Sequence, residues 1–260
     1  MDKRVIPVLL LCALFSCDGK KGPNHDSSRI TTITIATAAN TQFAMRELED
    51  LFEASQDSIK IEVVVSSSGK LTAQIQQGAP YDVFLSADMK YPDYLYKEGL
   101  ALAPPRVYAQ GALVAWSSSI QLDTTNWIAE LQNAVKIAIA NPEMAPYGMQ
   151  ALNAFKHLQI EEQIKKKLVF GESISQTNQY IISGACEIGL TAKSVVLSPN
   201  IKQKGSWVNI PTEVYQPIQQ GLAITKYGSQ HSPLKAQAFV DFLFSEKGRA
   251  ILKKYGYIVD

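Results

Sequence analysis

Four short loops hold the residues with the clearest potential for chemistry. They span residues 38–41, 66–70, 145–148 and 173–175, and each follows a strand-like run and precedes a helix-like run. A helix N-terminus presents unpaired backbone N–H groups and a partial positive charge, and small residues let an anion come close to them. The loops therefore indicate an oxyanion site built from backbone N–H groups and hydroxyls.

A structural role explains each of these residues singly. Asn40, Ser68 and Ser175 are residue types that commonly cap helices, and Tyr147 suits a packed surface aromatic. Their shared position after a strand favours a ligand site, because ligands of open α/β sheets bind beyond the carboxyl ends of the strands. From the residues alone, both interpretations stay open.

The sequence offers little for catalysis. His25, His157 and His231 have no metal-binding spacing, and there is no Gly-x-Ser-x-Gly nucleophile motif. Lys70 follows a glycine, but the other residues of a phosphate-binding P-loop are missing. We expect no catalytic residue, no cofactor and no side chain that ligates a metal directly. A periplasmic hydrolase, with His157 or His231 as its base, is an alternative.

Strand-like and helix-like runs alternate, which predicts an α/β fold with two lobes. Three strand–helix pairs precede Pro104, and the pattern then starts again. The residues after Pro217 are too few for a third domain and should return to the first lobe. We predict that each lobe is a mostly parallel sheet flanked by helices, with lobe 1 at residues 30–109 plus 221–260 and lobe 2 at residues 110–220. Such lobes close around ligands in the cleft between them.

The N-terminus has the pattern of an exported protein. Residues 1–16 contain Lys3 and Arg4 before an apolar run, which predicts a signal peptide. Cys17 follows a small residue, so cleavage before it would leave a lipidated N-terminal cysteine. Residues 17–29 lack apolar periodicity and should form a flexible tether. An ordinary signal peptide with a chance cysteine, or an uncleaved anchor, remains an alternative.

Charge and cysteine content narrow the choices further. Without residues 1–16, acidic and basic side chains are equal in number, so the chain lacks the electrostatic basis of nucleic-acid binding. Cys12 lies in the predicted signal, which leaves Cys186 as the one cysteine of the folded part. It has no disulfide partner, and we expect a buried, inert thiol.

Several segments resemble the periplasmic molybdate-binding proteins of ABC importers. The Gly-Ala-Pro-Tyr-Asp-Val-Phe-Leu-Ser-Ala-Asp run is the most specific of them. The resemblance covers nearly all of residues 30–260 and implies a type II periplasmic-binding-protein fold. Its segments are residues 34–40, 67–71, 78–88, 141–148, 171–177 and 254–257.

The resemblance also implies ligand-binding residues. Asn40 matches the family's Ser or Asn position in the first loop, and Ser68 matches a serine that gives a hydroxyl and a backbone N–H. Ile174 matches a position that gives a backbone N–H, and Ala39 is expected to add another. Tyr147 matches the third loop.

One departure from the family concerns a tyrosine. Some members have a tyrosine where this chain has Ala192. Members without it often have a tyrosine at the position of Tyr147. We therefore expect the Tyr147 hydroxyl to replace the missing donor.

The implied function is capture of molybdate or tungstate and delivery to the membrane subunits of an ABC importer. The metal would be bound as an oxyanion, through Asn40, Ser68, Tyr147 and Ile174, by a monomer. The protein would be periplasmic or extracytoplasmic and lipid-anchored, with no nucleic-acid partner. The alternatives are a binding protein for sulfate or phosphate, the hydrolase above, and a surface adhesin or purely structural lipoprotein.

Overall fold

The computed structural model describes residues 30–201 and 205–259. The predicted signal peptide, Cys17 and the tether lie outside the described residues. Among the helices that are described, none has the length and hydrophobicity needed to span a membrane.

The first lobe contains a five-stranded sheet in the order β2-β1-β3-β10-β4. β1 is parallel to β2 and β3, whereas β10 is antiparallel to β3 and β4. Its strands are β1 (Thr31–Ala38), β2 (Ile59–Ser66), β3 (Val83–Ser86), β4 (Arg106–Gly111) and β10 (Ile218–Ile224). Its helices are α1 (Gln42–Ala54), α2 (Ser68–Gln76), α3 (Lys90–Lys97), α9 (Lys226–His231), α10 (Pro233–Phe244) and α11 (Glu246–Lys254).

The second lobe repeats this arrangement with the order β7-β6-β8-β5-β9. β6 is parallel to β7 and β8, and β5 is antiparallel to β8 and β9. Its strands are β5 (Leu113–Ser117), β6 (Ile137–Ala140), β7 (Leu168–Gly171), β8 (Ile188–Ala192) and β9 (Ser206–Asn209). Its helices are α4 (Trp127–Asn133), α5 (Pro146–His157), α6 (Glu161–Ile164), α7 (Ile174–Ile182) and α8 (Lys193–Val196), with 3-10 turns at Lys165–Lys167 and Thr212–Val214.

The predicted two-lobed α/β architecture is confirmed. Each sheet is nevertheless mixed, since only two of its four strand pairings are parallel. The predicted lobe limits, at residues 109/110 and 220/221, fall inside β4 and β10. These two strands pair with each other in the first sheet, so the chain leaves that sheet after Gly111 and re-enters it at Ile218.

Separate apolar clusters hold the sheets and helices together. In lobe 1, Ile33 and Ile35 of β1 are fully buried against α1 and α10, where the rings of Phe52 and Phe239 meet edge-on at 5.5 Å. Burial of each such side chain contributes about 1.5–3 kcal/mol. The helical spacing of four apolar residues predicts an inward-facing stripe on α10, and all four are buried: Ala236, Phe239, Val240 and Leu243.

One strand is shorter than the sequence indicates, and another has no sequence signal. The alternation of Val135, Ile137 and Ile139 predicts a strand over residues 134–140, but β6 begins only at Ile137, because Val135 is 71% exposed and does not pack against the core. β4 was not predicted, since it follows directly on the chain-breaking pair Pro104-Pro105. The residues of β4 form a strand because they pair with β10, a contact that their own sequence pattern does not indicate.

Candidate functional site

The four predicted loops meet at one small cavity between the lobes. The cavity is small, with a volume of about 10 Å³, which is close to the minimum that holds one water molecule. None of its lining residues is charged. They are Ala38, Ala39, Asn40, Ser67, Ser68, Ala87, Ala145, Pro146, Tyr147 and Ile174.

Five residues that line this cavity have a backbone N–H group without a hydrogen-bond partner within the described parts of the chain. They are Asn40, Ser67 and Ser68 from lobe 1, and Tyr147 and Ile174 from lobe 2. Ser68 and Ile174 are the first residues of α2 and α7, and Tyr147 is the second residue of α5. These positions lie at the positive ends of the helix dipoles, where an anion is stabilised.

Side-chain caps do not satisfy these helix ends. The residues that precede α1, α2, α5 and α7 accept no hydrogen bond from the first turn. Among the described helices, a capping side chain is present only in α9 and α11, through Thr225 and Ser245, and neither residue lines the cavity. The capping interpretation therefore does not account for Asn40, Ser68 or Ser175. The Ser175 hydroxyl donates instead to Gln42 Oε1 of lobe 1, at 3.0 Å.

Gly148 allows α5 to begin directly at the carboxyl end of β6. A Cβ atom at this position would lie 1.9 Å from the carbonyl oxygen of Ala140, far inside van der Waals contact. Pro146, at the start of the helix, has no N–H group to leave unpaired. The segment Pro146-Tyr147-Gly148 therefore brings the Tyr147 N–H group to the cavity wall.

Ser68 lies at the cavity, as predicted, with its hydroxyl already oriented. Its Oγ atom accepts the backbone N–H of Ala87 at 3.0 Å. The hydroxyl hydrogen therefore remains free to donate to a ligand. Ser68 is 1% exposed, so a ligand at this hydroxyl would be shielded from water.

The Asn40 side chain is fixed by other residues of lobe 1. Its Nδ2 donates to Gln220 Oε1 at 2.8 Å and to the Tyr257 hydroxyl at 2.9 Å. The Tyr257 hydroxyl in turn donates to the Asn40 carbonyl at 3.0 Å. Because the amide nitrogen is occupied, the group that Asn40 can offer an anion is its backbone N–H.

Tyr147 reaches across the lobes towards the strands that connect them. Its hydroxyl oxygen would be 2.0 Å from a Cβ atom on Gly111, the last residue of β4. The hydroxyl is buried and has no hydrogen-bond partner within the described structure. Burial raises the pKa of Tyr147 well above its usual value. The hydroxyl therefore stays protonated and remains a potential donor.

The expected donor role of Ala39 needs correction. Ala39 lines the cavity, but its N–H donates to the Ser66 carbonyl at 2.9 Å, continuing the β1–β2 pairing. That N–H is not free for a ligand. Ala192, where some relatives have tyrosine, is buried and does not line the cavity.

The lobes are closed on each other around the cavity. The Gly69 N–H donates to the Met144 carbonyl at 2.9 Å, and the Tyr91 hydroxyl donates to the Glu143 carbonyl at 3.1 Å. Lys70 is exposed and lies 3.4 Å from Glu172. It does not line the cavity, in agreement with the missing P-loop residues around it.

Residues that a hydrolase would need do not gather at this cavity. His157 and His231 are exposed, and neither lines it; His25 lies outside the described residues. Within residues 30–201 and 205–259, no group of three or more His, Cys, Asp or Glu side chains could hold a metal ion. Cys186 is buried, as predicted, and burial raises the pKa of its thiol.

Comparison with known proteins fixes the family. The family model for bacterial extracellular solute-binding proteins matches residues 33–258. Molybdate-binding protein ModA of Azotobacter vinelandii is 36% identical over 233 residues, which cover 89% of this chain and 91% of the relative. The chain belongs to the ModA family of bacterial extracellular solute-binding proteins. The sequence resemblance is thereby confirmed.

A second relative and a solved structure support this assignment. ModA of Rhodobacter capsulatus is 34% identical over 230 residues, covering 88% of each chain. The solved structure of the periplasmic molybdate-binding protein of Azotobacter vinelandii superposes with a TM-score of 0.82 and 31% identity, covering 88% of this chain and 99% of that one. These relatives are binding proteins.

One lining residue with a polar side chain was missed from the sequence. Ser67 lines it beside Ser68, is 3% exposed, and has no partner for its hydroxyl within the described residues. The run Ser66-Ser67-Ser68 before Gly69 held the signal, but sequence pattern alone did not show which hydroxyls face the cavity.

Proposed function

We propose that this protein captures molybdate or tungstate in the interlobe cavity and presents it to the membrane subunits of an ABC importer. The observation that supports this most strongly is the set of unpaired backbone N–H groups, three from lobe 1 and two from lobe 2, at a cavity without charged side chains. The names of the family members supply the identity of the anion.

Neutral donors are sufficient to hold a dianion. Each hydrogen bond to a charged group contributes about 1.5–3 kcal/mol net. The N–H groups of Asn40, Ser68, Tyr147 and Ile174, with the Ser68 hydroxyl, together offset the loss of hydration of the ion. Within each lobe, the helices and strands already hold the donors in place before the anion binds.

Closure follows from the distribution of the donors. Asn40 and Ser68 lie in lobe 1, and Tyr147 and Ile174 lie in lobe 2. An anion that bonds to both pairs binds the closed state more tightly than the open state, so it shifts the population towards closure. The importer would then recognise the closed form.

Calorimetric titration of the mature protein with four anions tests the proposed ligand. We expect molybdate and tungstate to bind tightly and to raise the midpoint of thermal unfolding, because a ligand that binds only the folded state stabilises it. Sulfate and phosphate, which differ in size or protonation, should give little response. Strong binding of sulfate without binding of molybdate would contradict the proposed ligand and favour the sulfate alternative. No response to any anion would favour an adhesin or structural lipoprotein.

The Tyr147 hydroxyl is proposed as a further donor to the anion. Tyr147→Phe removes this hydroxyl and keeps the ring, so we expect molybdate affinity to fall by about tenfold, the lower range for a hydrogen bond to a charged group. Tyr108→Phe is the matched control, because Tyr108 is also buried but does not line the cavity. Unchanged affinity in Tyr147→Phe would leave the backbone N–H as the contribution of this residue.

We further propose that the protein acts by binding alone, as a monomer, outside the cytoplasm. The absence of both described histidines from the cavity supports a role without catalysis.

A lipid on Cys17 would tether the domain to the membrane through residues 17–29, a span of about 40 Å when extended. Release of the Cys17→Ala variant into the soluble fraction would test this anchor.

A further inference from the structure

We propose that the Ser67 hydroxyl is a direct hydrogen-bond donor to the bound oxyanion and does not cap α2. This inference rests on the proposed function. It adds a second hydroxyl from the loop that already supplies Ser68.

Ser67 has the position and backbone conformation of a helix cap but lacks the bond. It precedes α2 with φ −74° and ψ 152°, and its side chain accepts no hydrogen bond from the helix. A capping serine normally accepts the N–H two or three residues later, here Gly69 or Lys70. The Gly69 N–H instead donates to the Met144 carbonyl of lobe 2. Closure of the lobes therefore occupies one of the two N–H groups that a cap would use.

The hydroxyl of Ser67 is buried without a partner. The residue is 3% exposed, and its Oγ atom has no hydrogen bond to any described residue. A buried hydroxyl without a partner is unfavourable, so native proteins rarely retain one unless another group, such as a ligand, completes it. Ser67 lines the cavity, where the proposed anion supplies acceptor oxygens.

Ser67 and Ser68 would bind the anion in different ways. The Ser68 hydroxyl accepts the Ala87 N–H, which restricts the direction in which it can donate. No such bond restricts Ser67, whose hydroxyl can rotate towards an oxygen atom of the anion. The loop would then give three donors to one ion: the Ser67 hydroxyl, the Ser68 hydroxyl and the Ser68 N–H.

Calorimetry of Ser67→Ala with molybdate tests this role, with thermal unfolding of the ligand-free protein measured in parallel. We expect affinity to fall by about tenfold or more, the change expected for a lost hydrogen bond to a charged group. The ligand-free unfolding midpoint should not change, because no cap bond is lost. Ser67→Gly should give the same loss of affinity, since glycine is also accepted at the cap position. Ser66→Ala is the matched control, because Ser66 does not line the cavity.

The outcomes separate this inference from the proposed function. If the unmodified protein binds molybdate and both Ser67 variants bind it equally well, the role of Ser67 is overturned and the proposed function stands. A lower unfolding midpoint of ligand-free Ser67→Ala with unchanged affinity would identify a cap and also overturn the inference. If the unmodified protein binds neither molybdate nor tungstate, the proposed function itself fails.

Discussion

Gly148→Ala is expected to remove most of the affinity for molybdate. The new Cβ atom would lie 1.9 Å from the Ala140 carbonyl oxygen and 2.6 Å from the carbonyl carbon. Both are backbone atoms at the end of a central strand, so the N-terminus of α5 has to move. Such overpacking typically costs about 1–3 kcal/mol of folding stability. The shift would also take the Tyr147 N–H away from the anion, and hydrogen bonds weaken steeply when their geometry is lost.

Titration of Gly148→Ala with molybdate, together with thermal unfolding without ligand, measures both effects. We expect affinity to fall by about tenfold to a hundredfold, the equivalent of one lost hydrogen bond to a charged group. Met149→Ala is the control, because Met149 is the next residue of α5 but is 43% exposed and does not line the cavity. Near-normal affinity in Gly148→Ala would mean that the N-terminus of α5 does not contribute to the site.

Ser68→Ala should have the second large effect, because the Ser68 hydroxyl has two roles. Its loss removes a donor to the anion, worth about 1.5–3 kcal/mol. It also leaves the Ala87 N–H without its acceptor in a buried position, at a cost of about 1–3 kcal/mol in folding stability. The variant should therefore lose affinity and become less stable without ligand, whereas Ser67→Ala should lose affinity alone.

The comparison of the two serine variants is informative because they differ by one position in the same loop. Equilibrium unfolding by urea gives the stability change, and calorimetry gives the affinity. Ser66→Ala should change neither affinity nor stability substantially. A Ser68→Ala protein with full affinity would remove this hydroxyl from the site, and a protein with full stability would show that the bond to Ala87 is dispensable.

The sequence was sufficient to predict the two-lobed architecture and the meeting of four loops between the lobes. The alternating strands and helices, with the inward stripe on α10, predicted two α/β lobes. The small residues after β1, β2, β6 and β7 predicted that these four loops would lie together, and residues of all four line the cavity. Both predictions work because periodicity and helix-start chemistry are local properties of the chain.

Details that depend on contacts between distant residues could not be predicted. The Ala39 N–H is bonded to Ser66, and the Asn40 amide nitrogen is held by Gln220 and Tyr257. Only the folded chain brings these partners together. Ser67 was missed for the same reason, since its lack of a cap bond is linked to a contact between Gly69 and Met144 of the opposite lobe.

A crystal structure of the mature protein with bound tungstate tests the central claim most directly. The account predicts that the tungsten atom lies between the lobes and that its oxygens are about 2.7–3.2 Å from the N–H groups of Asn40, Ser68, Tyr147 and Ile174. No Lys or Arg side chain should contact the anion. An anion held by basic side chains, or located away from these four N–H groups, would contradict the account.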